Sequence, residues 1–453
     1  MAGTGGAPDD SRGLARRLGL FDATMMVMGG IIGSGIFMNP YVVARQVQSP
    51  FLILGVWIAG GAIALGGGFI WAELAARRPQ VGGQYAYLRE AFHPLVAFLY
   101  GWVLLLVTQT GGMAAVAVTF ARYFIELTGA PLADWEVAVM ALAVLTAVNC
   151  LGVQAGATVQ SLLMVLKILA IAALIACGLV LPGRSSGGSA MAGPWLDRPP
   201  SWDLLTAVGA AMVPVLFAYG GWQTACFLAG EIREPRRNLP RGLIIGVSGV
   251  VVLYLGVNLV CLDVLGAGGL AATTTPASDV MRSLLGAPGA RLIAAGIAVS
   301  TLGFLSQGML TAPRVYYAMA EDGLFFAGVG RISRRTRVPS AAIILQGVCA
   351  VVIALSGRYE QILNYVVSMD FLFFGLSAVC VFGIRRRDAG RPGAADSGYR
   401  IPGHPVTTIA FAAACWLVVV NTIYKYPANT AIGMAILLAG IPVYFLWIRR
   451  RLS

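Results

Sequence analysis

The feature that most constrains this chain is a succession of long apolar stretches with very few charges inside them. A helix that crosses the hydrocarbon core of a bilayer needs about 20 mostly apolar residues. Twelve segments meet that need: 19–44, 51–76, 92–124, 135–151, 157–181, 204–230, 242–265, 289–319, 339–356, 360–384, 405–424 and 428–448. The chain is 58% hydrophobic and only 11% charged, whereas a soluble domain carries roughly a quarter charged residues. So much apolar surface cannot be hidden in one soluble core, which makes the bilayer the solvent. In lipid the backbone polar groups must pair within the segment, so the spans are helices. The expected fold class is an all-α polytopic membrane protein with twelve transmembrane helices.

The net charge of +12 is carried almost entirely by arginine, with Lys167 and Lys425 the only lysines. In a soluble protein this balance would suggest a nucleic-acid partner. Here the arginines lie between apolar runs and set topology instead. With the N-terminus inside, the larger share falls on the cytoplasmic side, around Arg12 to Arg17, Arg77 to Arg89, Arg233 to Arg241, Arg331 to Arg337, Arg385 to Arg400 and Arg449 to Arg451. The opposite side holds Arg45, Arg122, Arg184, Arg198, Arg282, Arg291, Arg358 and Lys425. That asymmetry implies both termini inside and an even number of spans. No small-residue cleavage site follows the first apolar run, so no cleavable signal peptide is expected.

The seven cysteines lie mostly within apolar runs and form no CxxC pair. They read as small packing residues, without a disulfide framework or metal site. The histidines, His93 and His404, both precede prolines. This inventory leaves little cofactor, metal or nucleophilic chemistry to propose, so no cofactor is expected and a membrane enzyme is disfavoured.

Two spans carry glycine clusters that a plain helix would not need. The first reads Gly29-Gly30-Ile31-Ile32-Gly33-Ser34-Gly35-Ile36-Phe37, and the sixth Pro214-Val215-Leu216-Phe217-Ala218-Tyr219-Gly220-Gly221-Trp222. Glycine lowers the cost of leaving helical geometry and lets a ligand approach the backbone. Unwound backbone at membrane depth is tolerated only where it is buried in protein or lines a cavity. Small residues also pack helices together, and that reading is preferred for the unpartnered run Gly66-Gly67-Gly68. Interrupted spans at matching places in two halves point instead to a transporter site. Spans one and six match if the first ten spans form two inverted repeats of five.

The stretch Ile31-Ile32-Gly33-Ser34-Gly35-Ile36-Phe37 resembles the first-helix signature of the amino acid–polyamine–organocation superfamily. Phe217-Ala218-Tyr219-Gly220-Gly221-Trp222 is similar to the sixth-helix signature of its L-type amino acid transporter branch. Ala72-Glu73-Leu74, Gly82 to Tyr87, Glu234 to Pro240 and Ala320 to Leu324 add matches in the same order. The resemblance implies a five-plus-five inverted repeat followed by two C-terminal helices. Its divisions would be a tail at 1–17, a first repeat at 18–181, an extracytoplasmic loop at 182–203, a second repeat at 204–384, a cytoplasmic loop at 385–404, two helices within 405–448 and a tail at 449–453. It also implies a multi-pass protein of the bacterial inner membrane with an amino acid as substrate.

By the same resemblance, Gly33, Ser34 and Gly35 would bind the substrate carboxylate at a half-helix N-terminus, where free N–H groups and a positive dipole end meet. Ile31, Phe217 and Gly220 would face the amino group, and Phe217 would also act as a gate. Animal members join an accessory glycoprotein through a cysteine between helices three and four; 125–134 holds none, so no disulfide-linked subunit is expected.

Lys167 sits mid-span in Leu166-Lys167-Ile168, where a lysine costs roughly 2.5–3.5 kcal/mol. An intramembrane charge marks a functional position by default. Lys167 matches a fifth-helix lysine of the L-type branch that stands where sodium-coupled relatives hold a cation. Its ammonium would tie helix five to carbonyls freed near Ile32 and Gly33. Asp370, in span ten, has no counterpart in the resemblance and is assigned no role, the options being to face a cavity, to pair with a donor or to sit neutral; Glu73 and Glu231 are expected to pair with loop arginines, with gating as the alternative. The functional expectation is sodium-independent exchange of small neutral amino acids by alternating access. The alternatives are a proton-coupled symporter, a carrier of cationic amino acids or polyamines, and an amino acid sensor on a transporter scaffold.

Overall fold

The computed structural model describes residues 16–181, 201–356, 359–389 and 398–452. The N-terminal tail to residue 15, most of the connection 182–203, Arg358 and 390–397 therefore lie outside the described residues. The remainder is helical, in sixteen α-helices: α1 (Leu20–Ile31), α2 (Gly35–Val47), α3 (Pro50–Arg77), α4 (Gln84–Ala91), α5 (Pro94–Val103), α6 (Gln109–Thr128), α7 (Asp134–Cys150), α8 (Val153–Val180), α9 (Trp202–Tyr219), α10 (Pro235–Ala272), α11 (Pro276–Thr311), α12 (Pro313–Glu321), α13 (Ser340–Ser356), α14 (Tyr359–Ala389), α15 (Val406–Lys425) and α16 (Pro427–Leu452). A π-turn, Leu104–Thr108, joins α5 to α6, and a 3₁₀ segment, Trp222–Glu231, follows α9.

Ten of the described spans, some made of two consecutive helices, are long and apolar enough to cross a membrane. The segments expected at 135–151 and 339–356 form α7 and α13, each of 17 residues. Many of the large residues left exposed are aliphatic, such as Leu169, Val252 and Leu417. A lipid-facing surface is built this way, since hydrocarbon exacts no penalty for exposed aliphatics.

Two connections carry helix beyond the spans read from hydropathy. The stretch 266–288 is largely helical: α10 runs on past Gly266 and α11 begins ahead of Gly286, both glycines at positive φ (68° and 71°). Those left-handed glycines redirect the chain without ending helical pairing, which hydropathy cannot detect. Likewise α14 continues through Arg385 to Ala389, so the loop expected from 385 begins later. Arg385 and Arg387 stay helical because they find partners on neighbouring helices. Arg385 pairs with Glu73 at 2.6 Å, and Arg387 donates to the Glu90 carbonyl.

Polar ties close one end of the bundle. Glu73 accepts from Arg77 and Arg385, both at 2.7 Å, and from the Ile401 N–H at 2.8 Å. Asp388 pairs with Arg77 at 2.8 Å and Arg78 at 2.6 Å, while Arg78 also holds Glu90. Glu73 thus pairs with a loop-assigned arginine as expected. Glu231 does not: its partner is Arg314 of α12, at 2.7 Å, with both side chains fully buried. The 3₁₀ segment turns Glu231 inward, away from the basic stretch that follows it. Outside the helices, Leu18 and Ile232 form a parallel bridge.

Candidate substrate site

At each of the two glycine clusters a helix stops inside the bundle. Helix α1 ends at Ile31, Ile32 adopts extended backbone, and α2 restarts at Gly35 behind Ser34 as N-cap. Helix α9 ends at Tyr219, Gly220 is extended, and Gly221 takes φ 113° to lead into the 3₁₀ segment. Gly221 needs both its conformational freedom and its missing side chain. A Cβ at Gly30 would lie 2.5 Å from the Gly221 carbonyl oxygen, so the breaks cross backbone against backbone.

Long-range side chains hold the breaks together. The buried Tyr254 hydroxyl of α10 lies 3.2 Å from both the Ile31 and Ala218 carbonyls. Asn39 of α2 donates to the Pro214 carbonyl at 2.6 Å. Lys167 of α8, fully buried, donates through Nζ to the Ile32 carbonyl at 2.5 Å. Ser300 of α11 lies 3.4 Å from the Gly33 carbonyl. A Cβ at Gly303 would come within 2.8 Å of Lys167 Cε, so that glycine makes room for the lysine.

Between the breaks lies a cavity of about 70 Å³. Ile31, Gly33, Ser34, Gly35, Phe217 and Gly220 all border it. Lys167 does not border it; it stands behind the first break, on the Ile32 carbonyl. Ser34 Oγ is buried and has no hydrogen-bond partner. The first N–H groups of α2 have no acceptor within their own helix. The carbonyl at Ile31 is already shared with Tyr254. Phe217, half-buried, packs towards Ala115 of α6 and Val366 of α14. The run at Gly66–Gly68 lies away from this cavity; a Cβ at Gly67 would meet Trp222 at 2.6 Å, which makes it a packing surface.

The far wall escaped the sequence reading. Thr108 at the end of the π-turn, Gln109, Phe304, Gln307 and Asp370 also border the cavity. An aspartate at mid-span was the one available signal, since intramembrane charge is rare. The others are ordinary spanning-helix residues until packing brings them together.

The start of α2 brings main-chain N–H groups to this cavity, and the end of α9 brings main-chain carbonyls, of which that of Ala218 accepts from Tyr254. Comparison with known proteins agrees in kind. Residues 18–447 match the family described as amino acid permease. Across 98% of this chain and 99% of its own length, the serine/threonine exchanger SteT of Bacillus subtilis is 29% identical. The human large neutral amino acids transporter small subunit 2 is also 29% identical, over 98% of this chain and 82% of its own. The human b(0,+)-type amino acid transporter 1 is 27% identical over 96% of this chain and 88% of its own. A match over nearly the whole length, which takes in both interrupted helices, means that the chain belongs to the amino acid permease family, a family of membrane transporters rather than enzymes.

Proposed function

We propose that this protein exchanges small neutral amino acids across the membrane by alternating access, without sodium. The observation that carries the reading is the cavity between the two helix breaks. There Gly33, Ser34 and Gly35 take the carboxylate and the α9 end at Phe217 and Gly220 takes the ammonium. A cavity of about 70 Å³ corresponds to about five water-sized sites, which favours short side chains. The names of its relatives, exchangers and transporters of amino acids, support the same class. Lys167 stands in for a bound cation behind the first break, and Phe217 gates the cavity.

In this reading α7 and α13 also cross, giving twelve spans. The inverted repeats occupy 18–181 and 204–384, and two helices follow within 405–448. The arginine-rich end around Arg77, Arg78 and Arg385 faces the cytoplasm with both termini. The connection between α6 and α7 carries no cysteine, and the protein works without a disulfide-linked subunit.

Purified protein in liposomes tests this directly. Uptake of labelled alanine or serine should require internal amino acid and be indifferent to replacing sodium with choline. The corresponding amides and decarboxylated amines should compete at least tenfold more weakly, because each leaves a charge-assisted partner unpaired at a cost of about 1.5–3 kcal/mol. Binding without uptake would identify a sensor. Equal competition by amines would reject the two-pole site.

A further inference from the structure

Among the described residues, Asp370 is the one acidic side chain that borders the cavity. It stands in α14 after four buried residues, Val366 to Met369, yet is itself only half-buried; the open part of its surface faces the cavity. Thr108 borders the same cavity, and among the described residues no arginine, lysine or histidine forms a salt bridge with it. Thr108 reaches this place because the backbone widens into a π-turn over Leu104–Thr108, a distortion that recurs at functional sites. Thr110 accommodates the distortion by donating to the Leu105 carbonyl. Helix α14 borders α6 and the π-turn, so Asp370 comes from a wall separate from the α1–α2 and α9 breaks that supply main-chain groups.

A carboxyl group keeps acceptor lone pairs whether or not it carries a proton. On this wall they are turned to a cavity from which a bound substrate expels water. An alkyl side chain there would leave them desolvated and unpaired, while a side chain that donates would complete them. We propose that Asp370, on the cavity wall that Thr108 shares, selects substrates whose short side chain carries a hydrogen-bond donor, a hydroxyl or an ammonium, over alkyl side chains of the same size. This refinement rests on the amino acid site proposed above.

The test is competition for uptake in liposomes by L-serine, L-alanine and L-2,3-diaminopropionate, and by L-threonine against L-valine. Wild-type protein should prefer a donor-bearing member of each set by about tenfold or more. Preference confined to serine and threonine assigns the donor as a hydroxyl; preference for diaminopropionate assigns it as an ammonium. Asp370→Ala should bring the serine-to-alanine ratio close to one, and Thr108→Val should narrow it. If Asp370→Ala does not fold, the wild-type ratios and Thr108→Val decide. Alanine and valine competing as well as their donor-bearing partners in wild type, or a ratio unchanged in Asp370→Ala, would overturn this inference while leaving the amino acid site intact. Absence of competition by every amino acid would instead reject the site itself.

Discussion

Lys167 Nζ donates to the main-chain carbonyl of Ile32 at 2.5 Å, joining the middle of α8 to the first residue past the end of α1. The ammonium thereby pairs with an acceptor that the helix break has released. A buried lysine at mid-span needs such an acceptor, and a released carbonyl needs a donor. Each therefore stabilises the other, and under the proposed alternating access α8 would hold a half-helix that shifts during transport. Lys167→Ala should cut exchange at least tenfold while changing the apparent affinity for substrate by less than about threefold. Single-turnover binding measured beside steady uptake checks this split. A variant that exchanges like wild type would make the lysine a passenger.

The cavity glycines should separate into two kinds. Gly220 has φ −63°, and an added Cβ meets the Leu216 carbonyl oxygen only at 3.4 Å. Gly220→Ala should fold normally yet lose substrate affinity by about tenfold or more, because the methyl enters the space of the ligand. Gly30 faces the Gly221 carbonyl at a distance no Cβ tolerates, so Gly30→Ala should lose stability itself, by about 1–3 kcal/mol as overpacked sites do. Thermal unfolding in detergent, set beside binding, distinguishes the two classes.

Arg314 and Glu231 form a fully buried pair between α12 and the 3₁₀ segment. Removing one partner strands the other charge, at a cost of about 3–5 kcal/mol, whereas replacing both with apolar groups is often nearly neutral. Arg314→Met should therefore sharply lower the thermal midpoint, and Arg314→Met combined with Glu231→Met should recover most of the loss. An additive double variant would mean that the pair is not coupled.

His404 is held below the usual histidine range, first by burial and then by the nearby Arg385, with Glu73 opposing. Its Nδ1 lies 2.9 Å from Thr408 Oγ1. The folded state thus prefers neutral imidazole. Above about pH 6.5 both folded and unfolded chains hold it neutral, and the stability is fully present. As pH falls from there towards the lowered folded value, the unfolded chain binds the proton first and stability is lost. Unfolding followed between pH 7.5 and 5 should show a shallower decline for His404→Asn than for wild type.

The apolar spans and the two glycine clusters are properties of the chain taken a few residues at a time. Spanning length is set by the thickness of the bilayer, and a glycine cluster lowers the cost of unwinding wherever it lies. The two breaks were legible in this way, whereas Ile31, Gly33, Ser34, Gly35, Phe217 and Gly220 became site candidates through the family resemblance, and the structure places all six on one cavity. The need of Lys167 for a released carbonyl was legible too. The same local view left the helix within 266–288 unread and placed the start of the loop after α14 too early. Hydropathy reports lipid contact, and a helix that leaves that environment at a left-handed glycine goes unseen.

Tertiary structure alone decided the rest. Tyr254 bridging the Ile31 and Ala218 carbonyls, Arg314 as the partner of Glu231, and Asp370 facing the cavity beside Thr108 are contacts between distant parts of the chain. Such contacts depend on the rotation and depth of each helix against its neighbours. In a membrane bundle that register is set by close packing of small side chains rather than by hydrophobic periodicity, because lipid and protein interior are almost equally apolar. The sequence alone therefore determined that helices span and where two of them break. Only their packing determined which side chains meet across the cavity.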